Sequence, residues 1–261
     1  MNLILFAKTE LDPDGSVVVT GPRARHLLDV LRVTPGTSVR VGVIDAASGR
    51  GVVTAIEEGR VRLQCELDGV APPPPRVDLV LAVPRPKVLR RLWAQLAAIG
   101  VGQVILTNAS RVERCYFDTH VLSPATYEPL LIEGLQQARD IWLPRVSVHR
   151  QFRVLVEDRL DDLAGQGLRI VAEPASSLSV ADVAREHNGG RVLLAVGPEG
   201  GWNDFELSLL ERHGFRAVGL GPRTLRSDTA CLALLTLVHN ALRETAFTAT
   251  QPQSHRGTEN S

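Results

Sequence analysis

The residues best suited to chemistry lie between Arg191 and Ala230, RVLLAVGPEGGWNDFELSLLERHGFRAVGLGPRTLRSDTA, where one pattern occurs twice. An apolar, partly β-branched run leads into a Gly/Pro turn and then into a helix-like segment. The first turn, Gly197-Pro198-Glu199-Gly200-Gly201 after Val196, has three glycines in five residues. That composition permits backbone angles that side-chain-bearing residues avoid. The second turn follows Leu220 as Gly221-Pro222-Arg223-Thr224-Leu225-Arg226. Such turns let bare N–H and C=O groups approach a ligand closely, which suits a purine ring and ribose held in a narrow slot. Either turn taken singly is also compatible with an ordinary connection. Neither matches G-x-G-x-x-G or G-x-x-x-x-G-K-[ST], so Rossmann dinucleotide binding and P-loop phosphate transfer have no support.

The elements that must position these turns are legible from the flanking residues. Val192 to Val196 reads as a strand. Asn203 can cap a following helix with Glu206 in a capping box, Leu207, Leu209 and Leu210 supply apolar positions, and His213-Gly214 closes it. Phe215 to Leu220 reads as a second strand, and Ser227 or Asp228 can cap a final apolar helix from Ala230 to Leu242. Upstream, Leu168 to Ala172 runs into Glu173-Pro174-Ala175 and makes a third loop of the same kind. Strands that follow one another in a parallel sheet put such loops at one carboxyl edge, where open α/β sheets bind ligands.

Residues 1–71 predict a small β-rich domain. Five β-prone runs (Leu3 to Phe6, Ser16 to Val19, Ser38 to Ile44, Gly51 to Ile56 and Val61 to Glu66) surround one helix, Ala24 to Arg32, whose Arg23, Arg25 and Arg32 remain for solvent or phosphate. A compact barrel of this type often binds oligonucleotides. Four prolines, Pro72 to Pro75, form a stiff boundary over 72–76. Beyond it, residues 77–245 alternate strands with helices: Val77 to Val83, Val88 to Ile99, Val101 to Leu106, and a helix from Ser123 or Pro124 through Arg139. That alternation means an α/β parallel sheet. The polar stretch Thr107 to Arg114, with Arg111 and Arg114, stands where a strand hands over to substrate-facing loops. Residues 246–261 have little apolar content and read as a disordered tail.

The 29 basic and 29 acidic residues cancel, so bulk charge argues neither for nor against a nucleic-acid partner. Nearly all the positive charge is arginine, since Lys8 and Lys87 are the only lysines. Arginine favours planar phosphate and base contacts, although genome composition can produce the same bias. Cys65, Cys115 and Cys231 are odd in number and widely spaced, which supports neither a disulfide framework nor a zinc cluster. No metal is expected. No apolar run reaches membrane-spanning length and the N-terminus lacks a secretory pattern, so a cytoplasmic location is expected.

LLAVGPEGGW (193–202) and LGPRTLRSDTA (220–230), together with HLLDVLRVTPG (26–36), resemble the ribosomal RNA small-subunit methyltransferase E family of the SPOUT superfamily. The resemblance covers nearly the whole chain apart from the tail. It implies an N-terminal PUA-like barrel and a C-terminal parallel-sheet domain with a trefoil knot. It also implies S-adenosylmethionine as methyl donor, methylation at N3 of a ribosomal RNA uridine, and a homodimer. By position, Ala172, Glu173, Pro174, Val196 to Gly201, Leu220 to Arg223, Leu225 and Arg226 would wrap the cofactor. Arg226 would stand beside the reacting groups and stabilise charge on the uracil, with a water or Glu199 as base; Glu199 also reads as a carboxylate favoured by a helix N-terminus. Arg23, Arg25, Arg32, Arg111, Arg114 and Arg139 would hold RNA. Gln136-Gln137-Ala138-Arg139 departs from the family's usual Glu-Gln-Ser-x-Arg, and Ala98-Ile99-Gly100-Val101 from Glu-Leu-Gly-Val. Two other readings stay open: a SPOUT enzyme acting at another RNA position, and an inactive relative serving in ribosome assembly.

Overall fold

The computed structural model describes residues 3–69, 71–186 and 190–250, with side chains described up to Arg243. Contacts divide the chain into two compact units: residues 1–75, 85–104 and 114–148 in the first, and residues 76–84, 105–113 and 149–261 in the second.

The first unit holds a five-stranded sheet. Its strands are β1 (Ile4–Phe6), β2 (Ser16–Val19), β3 (Ser38–Val43), β4 (Ser48–Glu57) and β5 (Arg60–Leu67), in the order β1-β3-β4-β5-β2. β1 runs parallel to β3, and the other pairs are antiparallel. Strand alternation explains the core: Ile4, Phe6, Val17, Val19, Val41, Val61 and Leu63 turn inward and are buried. The expected helix at 24–32 is short and irregular. α1 covers Gly21–Arg25, and a π-type turn over His26–Val30 buries Leu27 while leaving Val30 and Leu31 exposed. The unit also contains α2 (Pro86–Ile99) and α3 (Pro124–Ala138). These helices approach closely because position 134 is glycine; a Cβ there would lie 2.0 Å from the Ala94 carbonyl oxygen. Gly100 ends α2 in the left-handed region, and Arg139 does the same for α3 with φ 61°.

The remaining strands are β6 (Val77–Ala82), β7 (Val101–Thr107), β8 (Arg145–His149), β9 (Leu168–Ala172), β10 (Val192–Val196) and β11 (Phe215–Val218), and those of the second unit stand in the order β11-β9-β10-β6. In the second unit β6, β9, β10 and β11 are parallel, registered through Val192 to Val77, Val192 to Leu168 and Phe215 to Arg169. Every residue of β6 and β10 is buried, as expected of central strands covered on both faces. Burial of each large aliphatic side chain contributes roughly 1.5–3 kcal/mol.

The remaining helices belong to this unit. α4 (Phe152–Val154) continues through a π-type turn, Leu155–Arg159, into α5 (Leu160–Ala164). α6 (Val180–Ala184) starts at Ser179, which forms a capping box with Asp182. α7 (Asp204–Arg212) starts as expected: the Glu206 amide donates to Asn203 Oδ1 at 2.8 Å and the Asn203 amide to Glu206 Oε2 at 2.9 Å. α8 runs from Ser227 to Thr250, so residues 246–250, expected in the tail, are helical; 251–261 lie outside the described residues. Among the described residues no helix is long and apolar enough to cross a membrane, and no cluster of side chains could hold a metal ion.

Candidate functional site

Because β11, β9 and β10 are parallel neighbours in that order, the segments leaving their carboxyl ends stand at one edge of the sheet. A small, open cleft of about 50 Å³ lies there. Ala172, Glu173 and Pro174 form one wall, and Leu220, Gly221, Arg223 and Leu225 form the other. All seven were expected from sequence. Val218, Gly219 and two residues of α8, Ala230 and Leu234, complete the lining.

Backbone hydrogen bonds fix the two walls against each other. The Glu173 amide donates to the Val218 carbonyl, and the Gly219 amide to the Leu178 carbonyl, both at 2.9 Å. Ser176 Oγ donates to the Ala217 carbonyl at 2.9 Å. The chains meet so closely at this point that a Cβ on Gly219 would lie 2.3 Å from the Ser176 carbonyl oxygen. Gly221 then turns the chain with φ +87°, a conformation that glycine adopts without cost. Among the described residues nothing in the chain bonds the backbone N–H groups of Leu220 or Gly221. One oxygen of Glu173 accepts from the Ala175 amide at 3.0 Å.

The two glycine turns of the sequence are not the two walls of this cleft. β9 lies between β10 and β11, so the loop after β9 faces the loop after β11. Val196 to Gly201 stands at the same edge but outside the lining. In that loop Val196, Gly197 and Pro198 are buried, while Glu199 and Gly200 are exposed. Trp202 packs over Gly197, where a Cβ would lie 3.1 Å from its Nε1, and its ring lies 5.2 Å from that of Phe152. Glu199 does not sit in the first turn of α7; Asp204 and Glu206 occupy that place. Pro222 and Arg226 are exposed members of the β11 loop outside the lining. Arg226 stands at the start of α8, where its carbonyl accepts from the Ala230 amide at 2.8 Å. Ser227 is therefore the first helical residue rather than the cap.

The six arginines expected on RNA divide into two groups. Arg23 is engaged inside the first unit: it donates to the Leu5 carbonyl at 2.8 Å, pairs with the Glu10 carboxylate and lies 5.6 Å over the Phe6 ring. The Arg23 hydrogen bond holds the Glu10 carboxyl below its ordinary value. Arg111 donates to the Gly200 carbonyl. Arg25, Arg32, Arg114 and Arg139 are exposed.

The sequence did not point to Val218, Gly219, Ala230 or Leu234 as site residues, although Gly219, two residues before the second glycine turn, was a signal for close chain approach. It also did not reveal a second role of Glu206, which is 3% exposed and whose Oε1 accepts from the Ser110 amide at 2.6 Å.

Residues 71–239 match the model of the RNA methyltransferase domain family. The ribosomal RNA small subunit methyltransferase E of Treponema pallidum is 30% identical over 253 residues, 92% of each chain. The chain belongs to the ribosomal RNA small subunit methyltransferase E family. The relative of the same name from Synechocystis is 28% identical over 88% of this chain and 75% of its own length. Among solved structures, the family member from Neisseria gonorrhoeae bound to S-adenosyl methionine superposes with a TM-score of 0.72 at 21% identity, over 91% of this chain and 97% of that one. A methyltransferase from Legionella pneumophila in complex with the same cofactor gives 0.71 at 20% identity over 92% and 97%. Those two likenesses establish a common α/β fold with a parallel sheet.

Proposed function

We propose that the chain is an S-adenosylmethionine-dependent methyltransferase that methylates N3 of a uridine in small-subunit ribosomal RNA. The observation that carries this reading is the cleft at the carboxyl edge of β9 and β11, in a chain of this family. Its residues suit a sulfonium nucleoside. Ala172, Pro174, Leu225 and Leu234 offer apolar surface to a purine, the Leu220 and Gly221 amides offer donors to its ring nitrogens, and Glu173 has an oxygen left to accept from ribose hydroxyls. Arg223 supplies a cation for a carboxylate. The bound cofactor would supply an activated methyl group. The protein's share is to align that group with the uracil and to favour loss of the N3 proton. Arg226, with the α8 N-terminus, stabilises the negative charge that this loss leaves on the uracil. The proton passes to water or to Glu199.

The five-stranded sheet and its arginines suit an RNA-holding role, in line with a PUA-like domain over 1–71 joined by the 72–76 linker to the catalytic domain over 77–245. A trefoil-knotted cofactor region, a homodimer and a cytoplasmic location complete the proposal. Exposed Arg25 and Arg32 hold RNA phosphates. Replacing both with alanine should lower RNA affinity and flatten the log–log salt dependence of binding by about 1.4–1.8, since each phosphate contact adds roughly 0.7–0.9 to the slope. A filter-binding titration across salt concentrations measures this, and an unchanged slope removes both residues from the role. Nucleoside mass spectrometry of small-subunit ribosomal RNA from a deletion strain tests the function itself. Loss of one 3-methyluridine, restored by the wild-type chain, is expected; an unaltered profile would refute the assignment.

A further inference from the structure

The loop after β10 lies outside the cleft lining, and a separate segment, Ser110-Arg111, holds it and the start of α7 at two points. At its tip Arg111 Nη1 donates to the Gly200 carbonyl and reaches the Gly201 and Trp202 carbonyls at 3.5 Å. The fit is tight: a Cβ on Gly200 would lie 2.8 Å from Arg111 Cδ. Three carbonyl oxygens converging on one guanidinium form a charge-assisted arrangement, stronger than neutral hydrogen bonds. At the other end, buried Glu206 joins two segments far apart in sequence. Its Oε2 accepts from the Asn203 amide at 2.9 Å and its Oε1 from the Ser110 amide at 2.6 Å, so Ser110 and Arg111 are both bound to the 200–206 stretch. Loss of a single partner would leave a buried carboxylate oxygen or a backbone donor without a mate.

We propose that Arg111 is a positioning residue: together with Glu206 it clamps the Gly200–Trp202 backbone and thereby sets the Gly197–Gly201 loop at the cofactor edge. In this role Arg111 does not contact RNA phosphate. The proposal rests on the methyltransferase reading for its kinetic consequence, but the clamp itself is a property of the chain alone.

The experiment compares wild type with Arg111→Ala, Arg111→Lys and Glu206→Gln in three measurements. The first is amide hydrogen exchange of residues 199–203 without ligand; Arg111→Ala should raise exchange there about tenfold or more while β6 and β10 stay protected. The second is S-adenosylmethionine affinity and KM, which should weaken about tenfold, with Arg111→Lys recovering part of the loss because an ammonium still reaches the carbonyls. The third is the salt slope of RNA binding, which should stay at the wild-type value. A slope reduced by about 1 with unchanged loop exchange would make Arg111 an RNA ligand and overturn the clamp. Unchanged exchange in Arg111→Ala would overturn it by itself. If wild type failed to bind S-adenosylmethionine, the methyltransferase reading would fail, while the exchange data would still decide the clamp. Glu206→Gln keeps one acceptor oxygen, so it should loosen the 108–111 and 203 amides selectively; global loss of protection would instead mark Glu206 as a fold residue only.

Discussion

Gly219→Val should weaken S-adenosylmethionine binding by about 10- to 100-fold. The reason is geometric: the new Cβ falls 2.3 Å from the Ser176 carbonyl oxygen, a backbone atom that cannot swing away as a side-chain tip could. Either the 173–178 segment or the 218–221 segment must then move, and these segments carry the two walls of the cleft. Overpacking of this kind costs about 1–3 kcal/mol and sometimes more, and each 1.4 kcal/mol is about tenfold in affinity. The bonds from Gly219 to Leu178 and from Glu173 to Val218 would lengthen together. Calorimetric titration measures the loss, and a thermal melt run alongside separates it from global unfolding. Wild-type affinity in the variant would mean that the ligand does not use these walls.

Arg226→Ala should lower kcat by about 100- to 1000-fold, the usual scale for removing one group that stabilises developing negative charge. Cofactor affinity should change little, because Arg226 is exposed and stands outside the cleft lining. Its carbonyl bond to the Ala230 amide survives the substitution, so the start of α8 is kept. Single-turnover methyl transfer to small subunits, with separate cofactor titration, tests this. Near-normal turnover would remove Arg226 from the chemistry, and a large loss of cofactor affinity would make it a binding residue instead.

The parts of this molecule set by short-range chemistry were readable from the chain. Asn203 and Glu206 are three residues apart, and their reciprocal bonds start α7 as the pattern required. The β-branched runs at 77–82 and 192–196 form central buried strands for the same local reason. What the sequence hid depends on contacts between distant segments. Gly219 is constrained by Ser176, Glu206 reaches Ser110 across 96 positions, and Arg23 is taken by Glu10 and the Leu5 carbonyl. Strand order is equally non-local. With β9 between β10 and β11, the opposing wall of the cleft comes from Glu173-Pro174 rather than from the first glycine turn. The π-type turns at 26–30 and 155–159 blurred the helical period: they broke the expected helix over 24–32 and concealed the helical turns between 152 and 164. α8 continues past Ala246 because Glu244, Thr245 and the residues after them prolong an established helix, where each added residue fixes one more hydrogen bond without a new nucleus.

The most direct measurement is a crystal structure of the chain with S-adenosylhomocysteine. The adenosine should lie between Ala172–Pro174 and Leu220–Leu225, with the Leu220 or Gly221 amide donating to the ring. Density for the nucleoside at any other place, with this cleft vacant at saturating ligand, would contradict this placement.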